Sequence, residues 1–119
     1  MSNSAYVKII GKKIVEVIGM EEGSDRVLFK TECGLNFEMS RIDCYAEVRI
    51  NDICGCRQDL IGGVVVHFEE RTNRSYGNTC SGSELWTFYD IQTTKGSVNI
   101  RWFGDSVYYS DEVYLDEVH

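Results

Sequence analysis

Trp86, Phe88, Trp102 and Phe103 offer flat aromatic faces, and Lys95 and Arg101 offer cationic donors, all within one short stretch of chain. Bases stack on aromatic rings, and guanidinium and ammonium groups pair with phosphates, so the set suits a ligand carrying a base and phosphates. The plainer alternative is a hairpin whose aromatics divide between core and surface. Other chemistry is sparse. The histidines are His67, inside a predicted strand, and His119; a general base at neutral pH is most often histidine, and His67 reads as a hydrogen-bonded strand residue. No Gly-rich phosphate loop, nucleophile elbow or chelating His pair occurs. Glu69-Glu70 and Asp111-Glu112 are neighbours along predicted strands, which sends each pair to opposite faces and denies them the role of a catalytic pair. Cys44 stands beside Asp43, and a neighbouring carboxylate disfavours the reactive thiolate. Cys54-Gly55-Cys56, even with His67 downstream, lacks the wider gap and second matched pair of a structural zinc site. These observations favour a binding protein with no catalytic residues, metal or cofactor.

The elements that position the aromatic stretch are strands. Residues 85–104 form two aromatic, β-branched runs around Lys95-Gly96, a β-hairpin in which Gly96 supplies the positive φ of the turn. Residues 13–18, 26–32 and 35–39 alternate apolar and polar, predicting a three-stranded meander with Leu35, Phe37 and Met39 facing inward. Residues 46–50 alternate again, with Ala46, Val48 and Ile50 on one face. Arg57 to Ile61 has room for about one helical turn before Gly62-Gly63. Residues 64–70 form a strand whose unbroken Val64-Val65-Val66 start predicts burial on both faces. Residues 71–83 are polar and patternless and read as a long loop, a candidate lid. Residues 107–110 and 112–115 predict a closing strand kinked near Asp111. The fold class is mainly β, a β-rich α+β chain of antiparallel meander and hairpins with at most one or two short helical turns, in a single domain spanning 1–119.

Composition narrows the function. With 119 residues, 43% apolar and 12% aromatic, the chain can bury one core without staples. A net charge of −7 opposes binding to duplex DNA, which needs a broad basic face. Five irregularly spaced cysteines fit a reducing compartment. No apolar run approaches a membrane span and no secretory leader is evident, so a cytoplasmic protein away from membranes is expected.

The ordered pieces Ile10-Gly11-Lys12, Asp43-Cys44, Asp52-Ile53, Asp59-Leu60-Ile61-Gly62, Glu69-Glu70, Trp86-Thr87-Phe88-Tyr89, Lys95-Gly96-Ser97-Val98, Ile100-Arg101-Trp102-Phe103-Gly104 and Tyr108-Tyr109-Ser110 run through most of the chain. In these it resembles a family of small phage and prophage proteins, many of them catalogued as a domain of unknown function, and looks like the phage anti-Thoeris sponge proteins. The resemblance implies a phage protein in the cytoplasm of an infected bacterium that sequesters a cyclic ADP-ribose isomer made by a bacterial TIR-domain enzyme, without cleaving it. Related sponges also take cyclic oligonucleotides. It further implies a β-rich homo-oligomer whose pockets draw on more than one protomer. Two departures stand out: the family often carries Cys-Cys where Cys44-Tyr45 stands, and residues 71–83 are atypical.

For such a ligand, adenine would stack on Phe88 or Trp102, and pyrophosphate would take forked donors from Arg101 or Arg57 with Lys95 nearby. Strand alternation sets Trp86 with Phe88 on one face, and Asn99 with Arg101 and Phe103, so these sets could converge. Gly62 and Gly63 would admit phosphate to backbone N–H groups. Two other classes compete with the sponge. An acidic interaction module would dock its surface, including the tail from Asp111 to Glu117, on a host protein. A small hydrolase or thiol enzyme would rest on the cysteines and carboxylates alone.

Overall fold

The computed structural model describes residues 4–41, 47–76, 83–106 and 112–118. It consists of a short helix α1 (Ser4–Lys8) and eight strands: β1 (Ile14–Ile18), β2 (Arg26–Thr31), β3 (Asn36–Arg41), β4 (Glu47–Cys54), β5 (Val65–Tyr76), β6 (Ser83–Thr93), β7 (Ser97–Ser106) and β8 (Val113–Val118). A 3-10 turn at Arg57–Asp59 separates β4 from β5. The strands make two antiparallel four-stranded sheets, ordered β1-β2-β3-β8 and β4-β7-β6-β5. The predicted meander is β1-β2-β3, and β8 closes that sheet against β3. Residues 42–46, including Cys44 and Ala46, and residues 107–111 lie outside the described part, as do Cys80 and His119.

The sheets face each other over one core, because period-two alternation gives each an apolar inner side. Phe29, Phe37 and Met39 from the first sheet meet Phe68, Tyr89, Ile100 and Trp102 from the second, all buried. Trp102 is fully buried, and its Nε1 donates to Met39 Sδ at 3.2 Å across the core. The sheets are also joined by backbone. Lys12 and Val65 pair through Val65 N to Lys12 O at 2.9 Å, and the β1–β2 turn bonds Ile50 in both directions, through Gly23 N and Ser24 O. One edge of the second sheet is thereby anchored to the β1–β2 turn and the other to the segment between α1 and β1.

Both of those edge strands carry a one-residue bulge. In β4, Ile50 opposes Trp102 but Asp52 opposes Arg101, leaving Asn51 extra. In β5, Val65 opposes Thr93 but His67 opposes Gln92, leaving Val66 extra. Each insertion reverses which side the following residues face. The expected two-sided burial of Val64-Val65-Val66 is therefore corrected: Val65 is buried and Val66 is 55% exposed.

Of the loop expected at residues 71–83, residues 71–76 instead extend β5 and Ser83 begins β6, paired in register, while residues 77–82 lie outside the described residues. Gly96 has no positive φ. The turn instead depends on Thr93, whose Oγ1 accepts from the Lys95 and Gly96 N–H groups at 3.1 and 3.3 Å. A Cβ at position 96 would stand 3.0 Å from Asp59 Oδ1, so crowding rather than dihedral need calls for glycine.

Helix α1 covers one end of the core with Ala5, followed by Ile9 just past its end, and brings Tyr6 against Phe68, ring centroids 5.5 Å apart. The Tyr6 and Tyr89 hydroxyls each donate to Glu70 Oε2 at 2.6 Å. Burial, with the Glu70 carboxylate beside them, pushes both phenols well above their ordinary value. A raised folded-state value stabilises fully below the unfolded value and is lost as pH climbs toward the folded one. Unfolding free energy is therefore expected to fall as pH rises above about 10, and Tyr89→Phe should make that fall shallower in urea titrations. At neutral pH, Trp102→Ala should cost about 3–5 kcal/mol in the same assay.

Candidate functional site

Around the two bulges, residues of β4 to β7 form ordered rows on the outward face of the second sheet. One row reads Arg71, Phe88, Arg101 and Asp52, each directly opposite the next across the strands. The next row on one side is Asn73, Trp86, Phe103 and Arg49, and on the other Glu69, Asp90, Asn99 and Cys54. At ordinary strand spacing the backbones of Arg71 and Arg101 stand about 9–10 Å apart, with Phe88 between them.

A cleft of about 500 Å³ lies over these rows, lined by Asp52, Cys54, Arg71, Phe88, Asn99 and Arg101 among others. That volume is in the range of small-molecule sites. Phe88 is 37% exposed, although a ring on a sheet normally seeks cover. Arg101 is held from three sides. Its Nε donates to Asn51 Oδ1 at 3.0 Å, Nη2 lies 3.7 Å from Asp52 Oδ2, and Cζ sits 5.4 Å from the Trp86 ring centroid. Trp86 in turn packs on Phe103 at 4.6 Å. The bulged Asn51 thus supplies the acceptor that orients the guanidinium. Arg71 has no hydrogen-bond or ion-pair partner among the described residues.

The residues singled out by sequence divide into groups. Trp86, Phe88, Asn99 and Arg101 share the outward face. Trp102 stands on the opposite face of β7, fully buried, so its ring is withdrawn from stacking. Arg57 borders a separate hollow with Met20, Glu22, Ile53 and Gln58. Lys95 belongs to the β6–β7 turn and lies over Gly62, with its Cδ 3.5 Å from where a Cβ would be. Gly62 and Gly63 donate their N–H groups internally, to Ile14 O at 2.7 Å and Leu60 O at 3.0 Å, leaving neither for phosphate. Gly62 takes a φ of +86°, and a Cβ on Gly63 would stand 2.5 Å from Thr93 Oγ1; both glycines serve the backbone.

Arg71, Asp52, Asn51 and Cys54 are the site residues that sequence reasoning missed. The signal for Arg71 was weak, because its inward neighbours Thr72 and Arg74 are polar too and hide the alternation. They border a polar hollow with Glu70, Thr87 and Glu112 rather than the apolar core. Thr87 Oγ1 is buried there with no hydrogen-bond partner among the described residues.

The fold and site define a two-sheet β protein with an open, aromatic and guanidinium-bearing cleft on one sheet. The chain belongs to the DUF7448 family, a domain of unknown function, which matches residues 7–115. No curated protein and no solved structure matches it. Among the described residues, no helix is long and apolar enough to cross a membrane.

The two tryptophans have distinct surroundings, which fluorescence can read. Trp86→Phe should remove most of the emission that iodide quenches, leaving the shielded signal of Trp102. Unchanged iodide quenching in that variant would contradict the assignment of the two rings to opposite faces.

Proposed function

We propose that the outward cleft binds a small anionic nucleotide and holds it without chemical change, so that the protein acts as a sink for a cyclic ADP-ribose-type immune signal in the cytoplasm of a phage-infected bacterium. The observation that carries this reading is the row Arg71, Phe88, Arg101, an exposed ring between two arginines that line the same cleft. A base stacked on Phe88 gains about 1–3 kcal/mol, and the flanking forks can take phosphate oxygens on both sides. Asn99 adds an amide able to donate and accept beside them. That the ligand is held without turnover rests on the resemblance to the sponges; Asp52 in the cleft is ion-paired with Arg101 at 3.7 Å.

The choice of a cyclic ADP-ribose isomer rests on the resemblance to the anti-Thoeris sponges. The same resemblance extends the proposal to a homo-oligomer with pockets shared between protomers. A sink must outcompete a receptor, which requires a dissociation constant below about 1 μM, or roughly 8 kcal/mol of binding free energy.

The test is to incubate the protein with the product mixture of a bacterial TIR-domain enzyme, filter, denature the retained protein by heat and identify what is released by mass spectrometry. The expected result is an intact cyclic ADP-ribose isomer. Retention should weaken by about 10- to 100-fold in Phe88→Ala and in Arg71→Ala, with circular dichroism unchanged. Release of no nucleotide, release of a cleaved one, or full retention by both variants would overturn the proposal.

A further inference from the structure

Beside the cleft, on the same outward face, His67, Glu69 and Asp90 bring one donor atom each to within 4.8 Å of one another. His67 and Glu69 are two apart on β5, and Asp90 is directly opposite Glu69 on β6. Sequence spacing placed Glu69 and Glu70 on opposite faces; the partner of Glu69 is instead this carboxylate across the ladder. His67 Nε2 stands 3.4 Å from Glu69 Oε1 and 3.8 Å from Asp90 Oδ2. With bonds of about 2.0–2.1 Å, neighbouring donors of a tetrahedral zinc site are about 3.4 Å apart, so both separations lie near that edge length.

Two further observations point to a cation. Like charges directly opposite each other on a sheet repel, yet among the described residues no Lys or Arg pairs with Glu69 or Asp90. The Asp90 carboxylate is also fixed beside His67 by Gln92, which stands opposite His67 and whose Nε2 donates to Asp90 Oδ2 at 3.1 Å. The bulge at Val66 sets the imidazole on the carboxylate side while Val65 faces the core.

We propose that His67, Glu69 and Asp90 bind one divalent cation of the zinc and cobalt class. One imidazole with two carboxylates suits such a borderline ion, and three protein donors leave a coordination position open to water or a ligand group. None of the exposed cysteines Cys33, Cys54 and Cys56 belongs to this donor group. The inference stands apart from the nucleotide reading, and its test uses no nucleotide.

The experiment is a cobalt titration of the chelator-stripped full chain, followed by visible absorption and by thermal unfolding. One equivalent is expected to bind without a thiolate charge-transfer band and to raise the Tm. His67→Ala and Asp90→Asn should each weaken binding by about tenfold or more and abolish the Tm rise, while Cys33→Ser and Cys56→Ser leave both unchanged. Magnesium should not displace the cobalt. Absence of saturable binding, a thiolate band, displacement by magnesium, or wild-type affinity in both His67→Ala and Asp90→Asn would overturn the site.

Discussion

The outward surface of the second sheet depends on the phase of its two edge strands, and a single extra residue sets that phase in each. Before the insertions, Ile50 and Val65 face the core; after them, Asp52 and Cys54 on β4, and His67, Glu69 and Arg71 on β5, face out. Without a bulge, alternation would carry Asp52 to the side of Ile50 and His67 to the side of Val65. Charged groups would then enter a core that offers them no partners, at a cost far above that of a bulge. The chain on either side of β1 braces both insertions: the β1–β2 turn bonds the backbone at Ile50, and Gly11 and Lys12, just before β1, bond it at Val65. The first sheet thus positions a site to which it contributes no lining residue of the main cleft.

The central strands behave differently, and this explains what could be read from sequence. In β6 and β7 the alternation is unbroken, so Trp86 shares a face with Phe88, and Asn99 with Arg101. The hairpin register then sets Phe88 opposite Arg101 and Trp86 opposite Phe103. The same parity puts Trp102 on the other side from Arg101, a consequence that its aromatic chemistry obscured. The meander was equally legible, because Val27, Phe29, Phe37 and Met39 are inward and, Leu28 apart, their strand neighbours are polar.

The edge strands were harder to read. In β5 the apolar pattern ends at Phe68 because the core ends there; Thr72 and Arg74 face a polar hollow, and polar residues on both sides resemble a loop. Arg71 was hidden for that reason. In β4 the bulge at Asn51 has no composition of its own, and Gly55, at φ +111°, turns the chain so that Arg57 leaves the sheet altogether. Helix α1 is one turn long, too short for helical periodicity to register, and it is held by Ala5, Ile9 and the Tyr6–Glu70 contact rather than by propensity.

In the proposed function, the row Arg71, Phe88, Arg101 is the ligand surface. Amide chemical-shift mapping tests this most directly, with a cyclic ADP-ribose isomer titrated into the isotopically labelled protein. The predicted result is that shifts cluster on the strand segments around Asp52, Arg71, Phe88, Asn99 and Arg101, with little change in β1, β2 and β3. Shifts concentrated instead around Arg57 and Lys95, or spread evenly over both sheets, would contradict it.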